Sequence, residues 1–180
     1  MVRGQMPEDF RSETLSADVD LRCSLSQARA GLADRAVWRF PGMPPCARKS
    51  NGSSVQQELD LPLLGRRTQT VMISSEVKRG PKGVTTVAFS SLGNLLSVSG
   101  SWTIARGKQQ VNAALTVGYT ASGALMEEAV NELRRRSPLP IRTDADAILT
   151  RAVEEFLREH FARDVASYQA RVCQLLEGPA

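Results

Sequence analysis

Residues 111–133 read VNAALTVGYTASGALMEEAVNEL, and the hydrophobic period changes within this stretch. The first half alternates apolar with polar or small residues, which is typical of a half-buried strand. Its apolar positions are Val111, Ala113, Leu115, Val117 and Tyr119. After Gly123 the apolar residues recur every three or four positions, as in an amphipathic helix. The stretch therefore predicts that a sheet ends near residue 119 and that helices follow it.

The same two-residue period recurs upstream in five further segments. They lie at residues 15–23, 55–63, 71–77, 84–92 and 96–104. Pro62 fits only near an edge, a bulge or the end of its strand. Short, glycine-containing loops separate the later segments, and such loops between consecutive strands indicate an antiparallel meander.

Helical patterns occur on both sides of the meander. Ser24 or Ser26 is predicted to cap a short helix that runs through Leu32 to Val37. A second helix is predicted from Ser122 or Gly123 to the arginines at 134–136, because the following Ser-Pro-Leu-Pro cannot continue it. A third is predicted from about Asp144 to Glu177, with Thr143 as a cap candidate. Its buried stripe comprises Leu149, Val153, Leu157, Phe161, Val165, Tyr168, Val172 and Leu175.

Composition sets the broad class. A chain of 180 residues that is 42% hydrophobic can bury one core, so we expect residues 12–177 to form a single domain after a flexible N-terminus at residues 1–11. No apolar run approaches the ~20 residues of a membrane span, and Met1 to Arg11 lacks the apolar stretch of a signal peptide. These features predict a cytoplasmic protein. Cys23, Cys46 and Cys173 have no metal-ligand spacing, so we expect reduced thiols and neither metal nor cofactor.

The net charge of +4 is mild, and Arg134, Arg135 and Arg136 form its most concentrated run. Such a run could contact the phosphates of nucleic acid or a lipid head group. It also suits the negative end of a helix dipole. We favour the second interpretation and consider nucleic acid an unlikely partner, because two tryptophans, two tyrosines and five phenylalanines are few for a base-stacking platform.

The order of these patterns resembles a known superfamily. The carrying residues are Val37-Trp38, Pro41-Gly42-Met43-Pro44, the Gly100 to Ile104 segment and Leu115 to Tyr119, followed by the Gly123 turn and a helix. Together they resemble the START-like superfamily, which includes polyketide cyclases, Bet v 1-type plant proteins and lipid-transfer domains. The resemblance covers about residues 12–177. The chain departs from the usual form at the Pro-rich break of residues 137–146 and in having no certain seventh strand.

This resemblance implies an α+β helix-grip fold, in which a curved antiparallel sheet of about six strands wraps around the long C-terminal helix. It also implies a cavity between sheet and helix for a hydrophobic small molecule, such as a lipid, quinone or polyketide. We predict that the cavity is lined by Met72, Phe89, Trp102, Tyr119, Phe161 and Tyr168, with a tyrosine hydroxyl orienting the ligand. Small residues at Ala88, Gly100 and Ala113 would either leave room or let the helix pack close.

Catalytic signals are weak. The chain contains no recognisable Ser-His-Asp arrangement, phosphate-binding glycine loop or paired carboxylate motif. His160, the only histidine, could act as a general base over a cavity, but a boundary residue with a structural hydrogen bond is the favoured interpretation. Three hypotheses follow, in this order: a carrier of an apolar ligand, a cyclase-like or hydrolase-like enzyme in the same cavity, and a protein or nucleic-acid interaction module.

Overall fold

The strands and helices follow one another in the order that the sequence periods predict, with one short strand added at the start. A computed structural model describes residues 8–33, 53–61, 63–108, 110–136 and 145–178. Its strands are β1 (Phe10–Arg11), β2 (Leu15–Leu21), β3 (Ser53–Leu61), β4 (Gly65–Arg79), β5 (Thr85–Gly93), β6 (Leu96–Arg106) and β7 (Val111–Ala121). Its helices are α1 (Leu25–Ala33), α2 (Gly123–Arg136) and α3 (Ala145–Glu177). The predictions for Val37, Trp38, Cys46, Pro62, Thr143 and Asp144 lie outside the described residues.

The strands form one curved antiparallel sheet in the order β1-β7-β6-β5-β4-β3, with β2 also paired to β7. Strands β3 to β7 follow one another both along the chain and across the sheet, so the predicted meander is confirmed. The chain then places its longest helix, α3, at the C-terminus. The α+β helix-grip class is confirmed, with seven strands in the described residues where about six were predicted.

The extra strand is β1, which the sequence placed in a flexible N-terminus of residues 1–11. Instead, Phe10 pairs with Ala121 and Arg11 pairs with Thr120, and the Phe10 side chain is buried. Asp9 Oδ1 accepts a hydrogen bond of 2.9 Å from the Gly123 backbone amide at the start of α2. A strand of two residues has no measurable period, so pattern reasoning could not find it.

The antiparallel register aligns the inner-face residues of neighbouring strands in rows across the sheet. The Trp102 row contains Val77, Val87, Trp102, Leu115 and Ala17. The Phe89 row contains Ser75, Phe89, Gly100, Val117 and Leu15. The Tyr119 row contains Ile73, Ser91, Val98 and Tyr119. These three rows form the concave face of the sheet, and α3 lies over its β2 and β7 side.

Helices α1 and α2 begin at the predicted caps. Ser24 Oγ accepts a hydrogen bond of 3.2 Å from the Gln27 amide, and Gln27 Oε1 accepts one of 2.9 Å from the Ser24 amide, which forms a capping box at α1. Ser122 Oγ accepts a hydrogen bond of 3.2 Å from the Leu125 amide and caps α2.

Contacts hold α3 at both of its ends. At its start, Arg134 of α2 forms an ion pair with Asp146. At its end, the Arg22 amide donates a 2.9 Å hydrogen bond to Glu177 Oε1. Leu176 also packs directly over Gly31 of α1, where an added Cβ would lie 2.1 Å from Leu176 Cδ2.

The predicted stripe of α3 is buried from Leu149 to Val172, but its last member is wrong. Leu175 is 59% exposed, and its neighbour Leu176 packs against the core instead. The period of 3.6 residues drifts around a long helix, so a pattern extended by three or four residues at each step can select the wrong neighbour.

Candidate functional site

Five of the six predicted site residues come together between the sheet and α3. We call Phe89, Trp102, Tyr119, Phe161 and Tyr168 the aromatic cluster. Strands β5, β6 and β7 each contribute one ring from the inner face, and α3 contributes the other two. All five side chains are buried. Alternation along each strand and the buried stripe of α3 bring these side chains to the same interior, as the sequence predicts.

Specific contacts join the sheet rings to the helix rings. Trp102 Nε1 donates a hydrogen bond of 3.2 Å to Tyr168 Oη. The Tyr119 and Phe161 rings are stacked, with centroids 4.2 Å apart and an interplanar angle of 2°. The Phe89 and Tyr168 rings are tilted by 59° at a centroid separation of 6.4 Å. The cluster therefore combines apolar ring surface with indole and phenol groups that can form hydrogen bonds.

Burial keeps both phenols neutral. It raises the pKa of Tyr168 to about 12, although the hydrogen bond from Trp102 opposes this rise. It also raises the pKa of Tyr119 strongly, and the negative charge of Asp164 raises it further. Neutral phenols donate and accept hydrogen bonds but are poor bases at neutral pH. This chemistry suits the orientation of a ligand better than proton abstraction.

Met72 does not belong to this site. It is 51% exposed and lies on the outer face of β4, between the buried residues Val71 and Ile73. Its partner on β5, Leu92, is 52% exposed on the same outer face. Successive side chains of a strand point to opposite faces, so Met72 cannot share a face with its two neighbours.

The expected room above Gly100 is also missing. A Cβ added to Gly100 would lie 2.5 Å from the Thr116 carbonyl oxygen and 2.7 Å from Phe89 Cζ. The Phe89 ring therefore covers the glycine opposite it in the row, an arrangement known from cross-strand aromatic and glycine pairs. Ala113 is buried on the inner face as predicted, but Ala88 alternates with the buried Val87 and Phe89 and so lies on the outer face.

Sequence patterns missed the polar side chains on the inner face. Gln69 is buried, and its Oε1 accepts hydrogen bonds of 3.0 Å from the amides of both Leu95 and Leu96. Its Nε2 donates bonds of 2.9 Å to Gln57 Oε1 and to the Leu96 carbonyl. Gln69 thus holds the β5–β6 turn against β4. The alternation along β4 places Gln69 on the inner face, but its polarity concealed this role.

His160 and Asp164 lie one turn apart on α3. His160 Nε2 is 3.4 Å from Asp164 Oδ2, and both side chains are largely buried. Burial raises the pKa of Asp164 above its usual value, while the positive charges of His160 and Arg163 oppose the rise. His160 therefore contacts a carboxylate of its own helix.

A groove of about 720 Å³ lies between β1, α2 and α3, apart from the aromatic cluster. Its apolar lining includes Phe10, Met126 and Val130. Charged side chains from α2 and α3 also line it, and the Arg158 guanidinium stacks over the Phe10 ring at 5.6 Å. The rim carries charges of both signs, so its electrostatics favour no single class of ligand.

The arginine run at the end of α2 is engaged within the protein. Arg134 pairs with Asp146, and Arg135 pairs with Glu132. Arg136 Nε donates a 2.7 Å hydrogen bond to Glu132, and its Nη2 donates one of 3.0 Å to the Leu63 carbonyl. The bond from Arg136, with the charges of the nearby arginines, holds the pKa of Glu132 below its usual value. These contacts favour a structural role for the run.

Two of the three cysteines lie in the described part of the chain. Cys23 and Cys173 are free thiols, and burial raises the pKa of both, which lowers their reactivity. None of the described helices has the length and apolar character needed to cross a bilayer.

Comparison with solved structures finds similar chains at low identity. A STAR-related lipid transfer protein from Xanthomonas axonopodis is 14% identical, and the match covers 88% of this chain and 90% of that one with a TM-score of 0.40. A polyketide cyclase-like protein from Corynebacterium glutamicum is 11% identical over 91% of each chain, with a TM-score of 0.42. Truncated norcoclaurine synthase from Thalictrum flavum is 12% identical over 87% of this chain and 99% of its own, with a TM-score of 0.35.

No protein-family model matches the chain, and no curated protein matches it in sequence. A five-strand meander precedes two helices, and a curved antiparallel sheet wraps the longer, C-terminal one. This order is the helix-grip fold that the sequence resemblance implies.

Proposed function

We propose that the protein binds an apolar small molecule on the concave face of the sheet, against the aromatic cluster, without converting it. One observation carries the proposal: neutral indole and phenol groups of Trp102, Tyr119 and Tyr168 are buried among apolar rings on the face that α3 covers. Ligand sites of this kind combine a mostly apolar lining with a few polar groups that fix orientation.

The placement of α3 suggests the part of the sheet on which a ligand would lie. The α3 backbone lies nearest to α1, α2, β2 and β7, and α1 itself contacts β5 and β6. The apolar inner face continues beyond it through Val71 and Ile73 of β4 and through Val87 and Phe89 of β5. A ligand over β4 and β5 would contact Phe89 below and Tyr168 from the side.

The available groups support binding without turnover. The raised pKa values of Tyr119 and Tyr168 keep both phenols protonated at neutral pH. The inner-face positions of the three rows carry no charged side chain within the described strands. An acid and base pair matched to neutral pH is the usual requirement for proton transfer, and the cluster lacks one among its five members.

Contact quenching of Trp102 tests the proposed site. The chain has two tryptophans, so Trp38→Phe leaves Trp102 as the only emitter. Addition of dibromostearyl alcohol to this variant should quench the emission saturably, with about one molecule bound per chain. Stearyl alcohol, which lacks bromine, is the control and should compete without quenching. Unchanged Trp102 emission at saturating probe would reject this site and favour a packed interior that serves as an interaction module.

A cyclase-like or hydrolase-like reaction is the second candidate, and the His160–Asp164 contact of 3.4 Å favours it. The two candidates differ in what they require of His160. A carrier should bind its probe equally well after His160→Gln. An enzyme should bind a substrate identified by native mass spectrometry, convert it, and lose that conversion in the same variant.

A further inference from the structure

The Ser91 side chain has an unusual position for a hydroxyl group. It is 4% exposed on the inner face of β5, in the row between Ile73 and Val98. Its Oγ has no hydrogen-bond partner among the residues that the structure describes. A buried hydroxyl without a partner reduces stability, so such a group in a folded protein calls for an explanation, and a bound molecule that supplies the bond is one.

Ser91 faces the same interior as the aromatic cluster. Tyr119 lies in its row, two strands away, which places the two backbones roughly 10 Å apart. Phe89 precedes Ser91 by two residues and so shares its face of β5. A molecule seated on Phe89 would therefore reach the Ser91 hydroxyl at one end.

The charges around this end restrict the group that Ser91 could bind. The Phe89 and Tyr119 rows contain only apolar or uncharged residues in the described strands. The charged group whose field reaches Tyr119 is Asp164, which is an acid. A ligand carboxylate at Ser91 would lose its hydration and would be repelled by Asp164, while the Arg171 guanidinium lies over Tyr168, 5.9 Å from its ring centroid, and not in the Ser91 row. A ketone, ester or alcohol avoids both costs.

We propose that Ser91 is the polar anchor of the ligand site and that the ligand is a neutral, oxygen-bearing apolar molecule whose carbonyl or hydroxyl group bonds to Ser91 Oγ. This inference rests on the proposed function and adds the class of ligand to it. It excludes free fatty acids as the preferred ligands. The Thr85 Oγ1 is also buried without a partner among the described residues, on the same face of β5. It lies at the opposite end of the strand, so it is not part of the proposed ligand site.

Three fluorescent probes with the same ring system test the ligand class: pyrene, acetylpyrene and pyrenecarboxylic acid. They present no oxygen, a neutral carbonyl and a carboxylate. We expect the wild-type protein to bind acetylpyrene about 3- to 10-fold more tightly than pyrene, which corresponds to one net hydrogen bond. Pyrenecarboxylic acid at neutral pH should bind more weakly than acetylpyrene. Tightest binding of the carboxylate would overturn the ligand class.

The variant Ser91→Ala tests the anchor. It should remove the preference for acetylpyrene over pyrene while leaving pyrene affinity unchanged, and it should not lower the midpoint of urea unfolding. Ser99→Ala is the matched control, because Ser99 lies exposed on the outer face of β6. It should retain the preference.

The outcomes separate this inference from the proposed function. If none of the three probes binds, the proposed function fails. If all three bind with equal affinity, the proposed function stands and the anchor is rejected. A preference for acetylpyrene that survives Ser91→Ala also rejects the anchor, because it assigns the carbonyl bond to another group.

Discussion

Tyr168 on α3 accepts a hydrogen bond from Trp102 on β6, with 3.2 Å between Oη and Nε1, and both side chains are fully buried. This bond joins the centre of the sheet to the helix that covers it. It also fixes the orientation of two rings in the candidate site, so its loss should affect stability and ligand binding together.

Replacement of Tyr168 by Phe should lower the free energy of unfolding by about 1–3 kcal/mol, because it leaves the buried indole N–H of Trp102 without this acceptor. Urea denaturation followed by far-UV circular dichroism measures the change. The double variant Trp102→Phe/Tyr168→Phe should lose less than the sum of the two single losses, as expected for groups in contact. Additive losses would mean that the bond contributes nothing to stability.

Gly100→Ala should destabilise the protein by about 1–3 kcal/mol, because the new methyl group would overlap the Thr116 carbonyl and the Phe89 ring. Gly118→Ala on β7 is the matched control, since an added Cβ there meets nothing within 4 Å. It should change stability by less than about 0.5 kcal/mol. Equal stability of the two variants would contradict the close contact between Phe89 and Gly100.

Gln69→Leu should lower the free energy of unfolding by at least about 2 kcal/mol, because it removes four hydrogen bonds, three of them to the backbone of the β5–β6 turn. Hydrogen exchange at the Leu95 and Leu96 amides should accelerate in the same variant. Gln56→Leu on the exposed face of β3 provides the control and should leave both measurements nearly unchanged. Slow exchange of the two amides in Gln69→Leu would contradict the role assigned to Gln69.

Stability should fall at alkaline pH, because both tyrosines of the chain are buried with raised pKa values. The unfolded phenols ionise near pH ~10, whereas Tyr168 in the folded state ionises at about 12. Their stabilising contribution is therefore complete below pH ~10 and is lost as the pH rises towards the folded pKa values. Each tyrosine should contribute a slope of roughly 1.4 kcal/mol per pH unit in this range. Tyr168→Phe should reduce the slope measured by urea denaturation, and an identical slope would contradict the assignment.

The triple variant Arg134→Gln/Arg135→Gln/Arg136→Gln should stay folded, because each of these partly exposed ion pairs is worth about 1 kcal/mol or less. Thermal unfolding should report a modest loss. Binding to duplex DNA should be weak in both the wild-type protein and the variant. Tight, salt-dependent DNA binding that disappears in the triple variant would instead support a nucleic-acid interface.

Sequence periods predicted the elements that are long enough to repeat. The alternation of Val111 to Tyr119 located β7, and the helical spacing after Gly123 located α2. The two-residue strand β1 was missed because it has no repeat. Strand β4 begins at Gly65 and not near Val71. The alternation did not reveal its first residues, Gly65 to Thr70, because most of them are polar.

The candidate site was predictable in its aromatic members and not in its polar ones. Phe89, Trp102 and Tyr119 follow the alternation of their strands, so their common face was accessible from the sequence. The prediction for Met72 was wrong because its position along β4 places this apolar side chain on the outer face. Gln69 is buried through its hydrogen bonds and Ser91 through its position on the inner face of β5, and a polar residue in a half-buried strand does not signal its burial in a single sequence.

The attachment of α3 at both ends has a mechanical consequence. A helix attached at both ends cannot swing away from the sheet as a rigid body, so it separates from the sheet only by bending between its ends. The middle of α3 carries Phe161 and the His160–Asp164 contact. We therefore expect the passage of any molecule between solvent and interior to depend on transient bowing of the helix near Phe161. Release would then be slow relative to a hinged lid, and it would accelerate when the Arg134–Asp146 pair or the Arg22–Glu177 bond is removed, although neither lies in the candidate site.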